Sequence, residues 1–207
     1  LAKAFTEILI DTKKRTIVKP IVKWVGGKTQ ILDHLLSEFP TTMNNYREPF
    51  LGGGSVLLAL LTYVKHGIIQ LHGKVYANDA NEPLIYMYKN IQSNHEELYH
   101  QIQHIITEFN SCNKNEETEI TGKKCGKKCG MSRNIKNIKT IEEAKQSKEN
   151  YYYWIRSEYN KLNATDKKTT IGSAMFLFLN KTCFRGVFRV GPNGFNVPYG
   201  HYNNPEI

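Results

Sequence analysis

Residues 47–61 read REPFLGGGSVLLALL, with three consecutive glycines between a Glu-Pro-Phe triplet and an apolar run. Glycine runs are usually flexible turns, but this one leads straight into a helical pattern, SVLLALLTYVKHG, which Ser55 can cap and Gly67 can end. Downstream, IIQLHGKVYAND reads as a strand ending at Asp79, and Pro83 sits at a good first-turn position for the helix PLIYMYKNIQSN. Upstream, IVKWVGGKTQILDHLLSEFP repeats the theme: an apolar-rich stretch turns through Gly26 and Gly27 into a helix whose Ile31, Leu32, Leu35, Leu36 and Phe39 share one face, and Pro40 stops it. Strand, glycine turn, helix, strand and acidic residue follow in the order of a doubly wound nucleotide-binding half. In that arrangement a ligand can approach the side-chain-free backbone where the helix begins, and the acid at the next strand end can accept hydrogen bonds from ribose hydroxyls.

Spacing narrows the ligand. GGKT at residues 26–29 resembles the end of a P-loop, but that motif needs glycine at position 22, which is Val22. In the second turn Gly52 and Gly54 match the first two glycines of a dinucleotide fingerprint, while Leu57 occupies the place of the third. A ligand with a ribose but no pyrophosphate fits better.

The second half changes character. EELYHQIQHIITEFN and YYYWIRSEYNKL read as amphipathic helices separated by residues 110–150, a Lys-, Asn- and Glu-rich stretch expected to be a poorly ordered insertion. IGSAMFLFLNKTCF is apolar enough for a buried helix, and VFRVGPNGFNVPYG reads as a β-hairpin turning at Gly-Pro-Asn-Gly. The expected division is 1–93 and 94–207.

The totals bound the partners. The chain has 207 residues, 40% of them hydrophobic and 23% charged, enough for a sizeable core. Its 28 basic and 19 acidic residues give a net charge of +9, which favours a polyanion, whose condensed counterions are released on binding. No apolar run of membrane-spanning length and no signal-peptide pattern occur, so an intracellular protein, cytoplasmic or on DNA, with no membrane partner is expected. Cys125 and Cys129 in KKCGKKCG have zinc-like spacing, but Cys112 and Cys183 supply no matching second pair, and no metal site is assigned.

Four stretches in order, KPIVKWVGGK, REPFLGGGSV, VYANDANEPL and LNKTCFRGVFRVGPNGFNVPYGHY, resemble the N-terminal parts of the Dam-type (D12 class) DNA adenine-N6 methyltransferases. The resemblance spans Lys19 to Tyr202 apart from the insertion. It implies an α/β fold: part of a Rossmann-like S-adenosylmethionine-dependent methyltransferase sheet with an appended helical and β-hairpin target-recognition subdomain. It further implies S-adenosylmethionine as cofactor, with Trp24, Gly26, Gly27 and Lys28 in one cofactor motif and Glu48, Pro49, Phe50, Gly52, Gly53 and Gly54 in the main loop. Asp79 would hold the ribose. For Trp24 and Phe50 the alternative is core packing, and for Asp79 a helix cap or turn acid.

Double-stranded DNA is the implied partner. Lys181, Arg185 and Arg189 bracket Phe184 and Phe188, an interleaving that suits phosphates, base edges and stacking. Arg189 matches a position where the family reads guanine with arginine. Arg185 departs from the GATC-reading members, which carry Asn there, so another short adenine-containing site is expected. FNVPYG on the return strand resembles a family signature, in which Asn196 contacts DNA or, with Tyr199, supports the strand.

The family's chemistry rests on an Asp-Pro-Pro-Tyr or Asn-Pro-Pro-Tyr motif, and the 207 residues contain neither. No catalytic residue is therefore assigned. The expectation is the cofactor-binding and DNA-recognition part of a methyltransferase, inactive alone and completed by a C-terminal half or by a complementing chain. The alternatives are a catalytically silent DNA-binding partner subunit, and a nucleotide-using enzyme acting on small molecules, which leaves the hairpin's basic face without purpose.

Overall fold

The computed structural model describes residues 17–112, 138–202 and 205. Contacts divide the chain into two units, Leu1–Asn81 and Glu82–Ile207.

In the first unit a 3-10 turn, Thr29–Ile31, runs into α1, Leu32–Ser37. Two short strands follow, β1 at Thr42–Met43 and β2 at Tyr46–Glu48, then α2 at Ser55–Lys65, and β3 and β4 at Gln70–Leu71 and Val75–Ala77. The pairings are parallel: Thr42 faces Gln70 and Met43 faces Leu71, and Tyr46, Arg47 and Glu48 face Val75, Tyr76 and Ala77. The offset grows by one residue between the two ladders, so His72–Lys74 hold one residue more than the Asn44–Asn45 segment opposite. This is a bulge. Gly73 makes it possible, because a Cβ there would collide with the Asn44 carbonyl oxygen, and the Asn45 side chain accepts the Lys74 N–H at 2.9 Å. The strand expected over IIQLHGKVYAND is thus two pieces, joined to the preceding pair through α2 as a βαβ unit.

α2 departs from expectation at its start. Gly54, at φ +72°, occupies the cap position, and Ser55 is the first helical residue. Gly67, at φ +70°, ends the helix as expected. Leu32 and Leu36 of α1 pack with Ala59, Leu60 and Tyr63 of α2 and with Ile69, the apolar stripes meeting as their spacing dictates.

The second unit is helical: α3 Glu82–Ser93, α4 His95–Ser111, α5 Ile141–Lys145, α6 Lys148–Lys161 and α7 Thr170–Thr182. The division by contacts follows Asn81, whereas the sequence suggests one after residue 93. α3 belongs with the helices because Leu84 and Met87 are fully buried and Asn90 donates from Nδ2 to the Lys168 carbonyl and to Ser173 Oγ, at 2.9 and 2.8 Å. α7 is buried on most sides, as its apolar composition requires, and Phe178 stacks edge-on with Phe109 of α4 and Tyr151 of α6.

Part of the expected insertion is ordered helix. Thr140 caps α5 by accepting the Glu143 N–H, Glu143 reaches back to the Lys139 N–H, and Ser147 caps α6. Residues 113–137, with Cys125 and Cys129, lie outside the described residues.

The hairpin forms where expected, with β5 Val190–Gly191 antiparallel to β6 Gly194–Phe195. Among the described residues, no helix is long and apolar enough to cross a membrane.

Candidate functional site

Within the first unit, the two glycine turns and the ends of β2 and β4 enclose a cleft of about 480 Å³. Its walls carry Trp24, Gly26, Gly27 and Lys28 from the first turn, and Glu48, Phe50, Gly52 and Gly53 from the second. Asp79 completes it from beyond β4. Pro49 and Gly54, assigned from the sequence, are not among the lining residues; Gly54 serves the backbone instead, with its N–H on the Leu51 carbonyl at 2.9 Å. Sequence reading missed Val25, Leu35, Leu51, Ser55 and Val56, which also line the cleft. Ser55 had a local signal as the residue after the glycines, but its partner is distant: its Oγ accepts the Lys28 N–H at 3.2 Å and fastens one turn to the other.

Gly52 and Gly53 also leave room for a neighbouring side chain. A Cβ on Gly52, at φ +52°, would meet Trp24 Cδ1 at 3.0 Å, and one on Gly53 would meet Trp24 Cβ at 3.2 Å. The bare backbone there leaves room for Trp24. The cleft opens beside this contact.

Asp79 locks the second turn. Its Oδ2 accepts the Gly52 N–H at 2.8 Å and its Oδ1 accepts the Asn81 N–H at 2.9 Å, while the Leu51 N–H donates to the Asn78 carbonyl at 2.8 Å. A carboxylate has about four lone-pair sites, so both oxygens retain acceptor capacity toward the cleft. Glu48 is half-buried and accepts from the Tyr46 hydroxyl at 3.0 Å. Burial raises its pKa above the ordinary carboxylate value, opposed by the Tyr46 hydroxyl and the Leu57 N–H. Phe50, 88% exposed, and Val25, 75% exposed, form an apolar rim.

In the second unit the hairpin residues take distinct places. Phe184 is 49% exposed with the Arg185 guanidinium 5.2 Å from its ring centroid. Arg185 is exposed at φ +57°, and its backbone N–H donates to the Tyr202 hydroxyl at 2.8 Å, which fixes the main chain there. Lys181 is half-buried in the last turn of α7. Phe188 packs on Phe176 and Phe195, with centroids 5.5 Å apart in both pairs, and belongs to the hairpin core. Arg189 and Asn196 are exposed and bonded to each other: Nε donates to the Asn196 Oδ1 at 2.7 Å. Buried Tyr199 supports the return strand, its ring 5.3 Å from Tyr152.

No group of three or more His, Cys, Asp or Glu side chains among the described residues could hold a metal. Cys112 and Cys183 are buried.

A family model, D12 class N6 adenine-specific DNA methyltransferase, matches residues 24–207. The chain belongs to this family. Among curated relatives, the type II methyltransferase M.MjaIII of Methanocaldococcus jannaschii is 34% identical over 196 residues, covering 92% of this chain and 55% of the relative. M1.LlaDCHI of Lactococcus lactis subsp. cremoris, another type II methyltransferase, is 28% identical over 94% of this chain and 52% of the relative. The DNA adenine methylase of Escherichia coli strain K12 is 24% identical over 90% and 49%. The chain spans about half the length of the curated relatives it matches. Methyltransferases as a class transfer the methyl group of S-adenosylmethionine, and the two glycine turns, the cleft and the hairpin all lie within the matched segment.

Proposed function

We propose that the protein is a site-specific, S-adenosylmethionine-dependent DNA adenine-N6 methyltransferase, with this chain supplying the cofactor cleft and the DNA-reading hairpin. The observation that carries the reading is the cleft at the ends of a parallel strand pair, bordered by two glycine turns and two carboxylates. Its volume lies within the roughly 300 to 1,000 Å³ usual for small-molecule sites, and its donor set suits an adenosyl sulfonium. Asp79 accepts from the ribose hydroxyls with its remaining lone pairs. Glu48 places a second negative charge where a cation is to sit. Trp24 and Phe50 give apolar faces to an aromatic base, while Gly26, Gly27, Gly52 and Gly53 let it reach the backbone. Lys28 is held by its Nζ on the Gly26 carbonyl at 2.8 Å and shapes the first turn.

When bound, S-adenosylmethionine supplies an electrophilic methyl group on a positively charged sulfur. The target adenine must leave the stack, since its amino group is inaccessible in the duplex. The hairpin holds the duplex for this: Lys181 and Arg185 on phosphates, Phe184 as an apolar wedge or stacking face, and Arg189 on a guanine edge. No Asp-Pro-Pro-Tyr or Asn-Pro-Pro-Tyr motif occurs in the 207 residues, so these residues alone are expected to transfer no methyl group. Labelled methyl appearing in DNA incubated with them would overturn that statement.

Calorimetry tests the cofactor half. S-adenosylmethionine and S-adenosylhomocysteine should bind saturably and compete, with ATP and NAD inert; binding of ATP instead would return the chain to the small-molecule reading. Duplex DNA affinity should fall steeply with salt, and a salt-independent affinity would remove the polyanion from the account.

A further inference from the structure

Arg189 and Asn196 stand opposite each other, one pair beyond Val190 and Phe195 in the hairpin register. The Asn196 N–H donates to the Arg189 carbonyl at 3.1 Å, the Asn196 Oδ1 accepts from Arg189 Nε at 2.7 Å, and the Asn196 carbonyl accepts from Nη2 at 3.4 Å. A guanidinium is planar with fixed donor directions. Nε–H and one Nη2–H lie along the same edge, and this edge is turned onto Asn196. The other edge, Nη1 with the second Nη2 hydrogen, meets no protein acceptor among the described residues.

Asn196 is itself held. A Cβ on Gly191 would come within 2.5 Å of Asn196 Nδ2, so the missing side chain leaves room for the amide. On either side of Asn196 the backbone is anchored to α6. Asn160 exchanges two hydrogen bonds with Phe195, at 2.9 and 2.8 Å, and the Val197 carbonyl accepts from Tyr152 and Arg156 at 2.8 and 3.0 Å. An exposed arginine ordinarily loses rotamer freedom when it binds; here that loss is already incurred in the free protein.

We propose that Asn196 is a positioning residue that presents the Nη1/Nη2 edge of Arg189, end-on, to O6 and N7 of one guanine in the target duplex. This rests on the reading of the hairpin as DNA-reading. Asn196 then acts through Arg189 and sets the strength of discrimination at that base pair.

The test is binding of the full chain to duplexes randomised over eight base pairs, with sequencing of the bound fraction, then to the preferred duplex carrying 7-deazaguanine at the read position. The wild-type protein should prefer guanine there by about 5- to 160-fold and lose affinity when N7 is replaced. Arg189→Ala should abolish both effects. Asn196→Ala should reduce the preference by about 2- to 13-fold and shrink the 7-deazaguanine penalty, with melting temperature and affinity for random duplex unchanged. Gly191→Ala, which displaces the Asn196 amide without touching Arg189, should do the same. Asn196→Asp should restore the preference, because a carboxylate oxygen still accepts the Nε–H. Full preference in both Asn196→Ala and Gly191→Ala, with loss only in Arg189→Ala, overturns the positioning role and leaves the hairpin reading standing. Undiminished preference in Arg189→Ala overturns both.

Discussion

Trp24 and Arg189 occupy two differently built surroundings. Trp24 is fitted against bare backbone at Gly52 and Gly53, and hydrogen bonds from backbone N–H groups to Asp79 and Ser55 keep the neighbouring turns in place. Arg189 is instead carried at an exposed strand end and aimed by an asparagine whose own strand is bolted to a helix through Asn160, Tyr152 and Arg156. The cleft is made by removing side chains, the hairpin by pairing polar ones. A concave site for a small ligand needs room and acceptors, whereas a base-reading group must project and yet keep one orientation.

The contrast can be broken in four places. The largest effect belongs to the aromatic core of the helical unit: Phe178→Ala, at a fully buried site, should destabilise by about 3 to 5 kcal/mol in denaturant titration. A loss under about 1 kcal/mol would mean that the Phe109, Tyr151 and Phe178 cluster does not support that unit. Next, Asp79→Ala strips acceptors from the Gly52 and Asn81 N–H groups, so it should lower stability by about 1 to 3 kcal/mol as well as cofactor affinity. Weakened affinity at unchanged melting temperature would make Asp79 a ligand contact only. Gly52→Ala should cost about 1 to 2 kcal/mol from its left-handed backbone, plus a part from crowding the indole; in a double-mutant cycle Trp24→Ala should relieve the second part. Strict additivity would separate Gly52 from Trp24.

The smallest effect is a pH dependence. Burial first, against the pull of Tyr46 and Leu57, raises the Glu48 pKa, so the folded state holds its proton more tightly than the unfolded state. Such a group makes stability fall as pH rises from the ordinary carboxylate value through the raised one. Glu48→Gln should therefore melt slightly higher than wild type near pH 7 and lose this dependence, while binding S-adenosylmethionine more weakly. Identical melting profiles across pH 4 to 7 would show that Glu48 is not destabilised by its place in the cleft.

The helix-facing stripes, the two glycine turns and the hairpin were legible because each is written in a few adjacent residues: Leu32 with Leu36, Gly52 with Gly54, Gly191 through Gly194. The bulge was not, since it depends on Gly73 meeting Asn44 across the ladder, twenty-nine positions away. The same limit hid the role of Ser55, read as a cap from its neighbours but bonded to Lys28. The packing of α3 on the later helices has no local signal, because the bond between Asn90 and Ser173 joins residues 83 positions apart. Within the 110–150 stretch, the Thr140 to Glu143 capping pair was a local signal that low hydropathy obscured.

Photo-crosslinking of methyl-labelled S-adenosylmethionine to the full chain, followed by peptide mapping, tests the central claim most directly. The account predicts saturable label, competed by S-adenosylhomocysteine, on peptides containing Trp24 or Phe50. Label confined to peptides from the helical unit, or none that saturates, would contradict it.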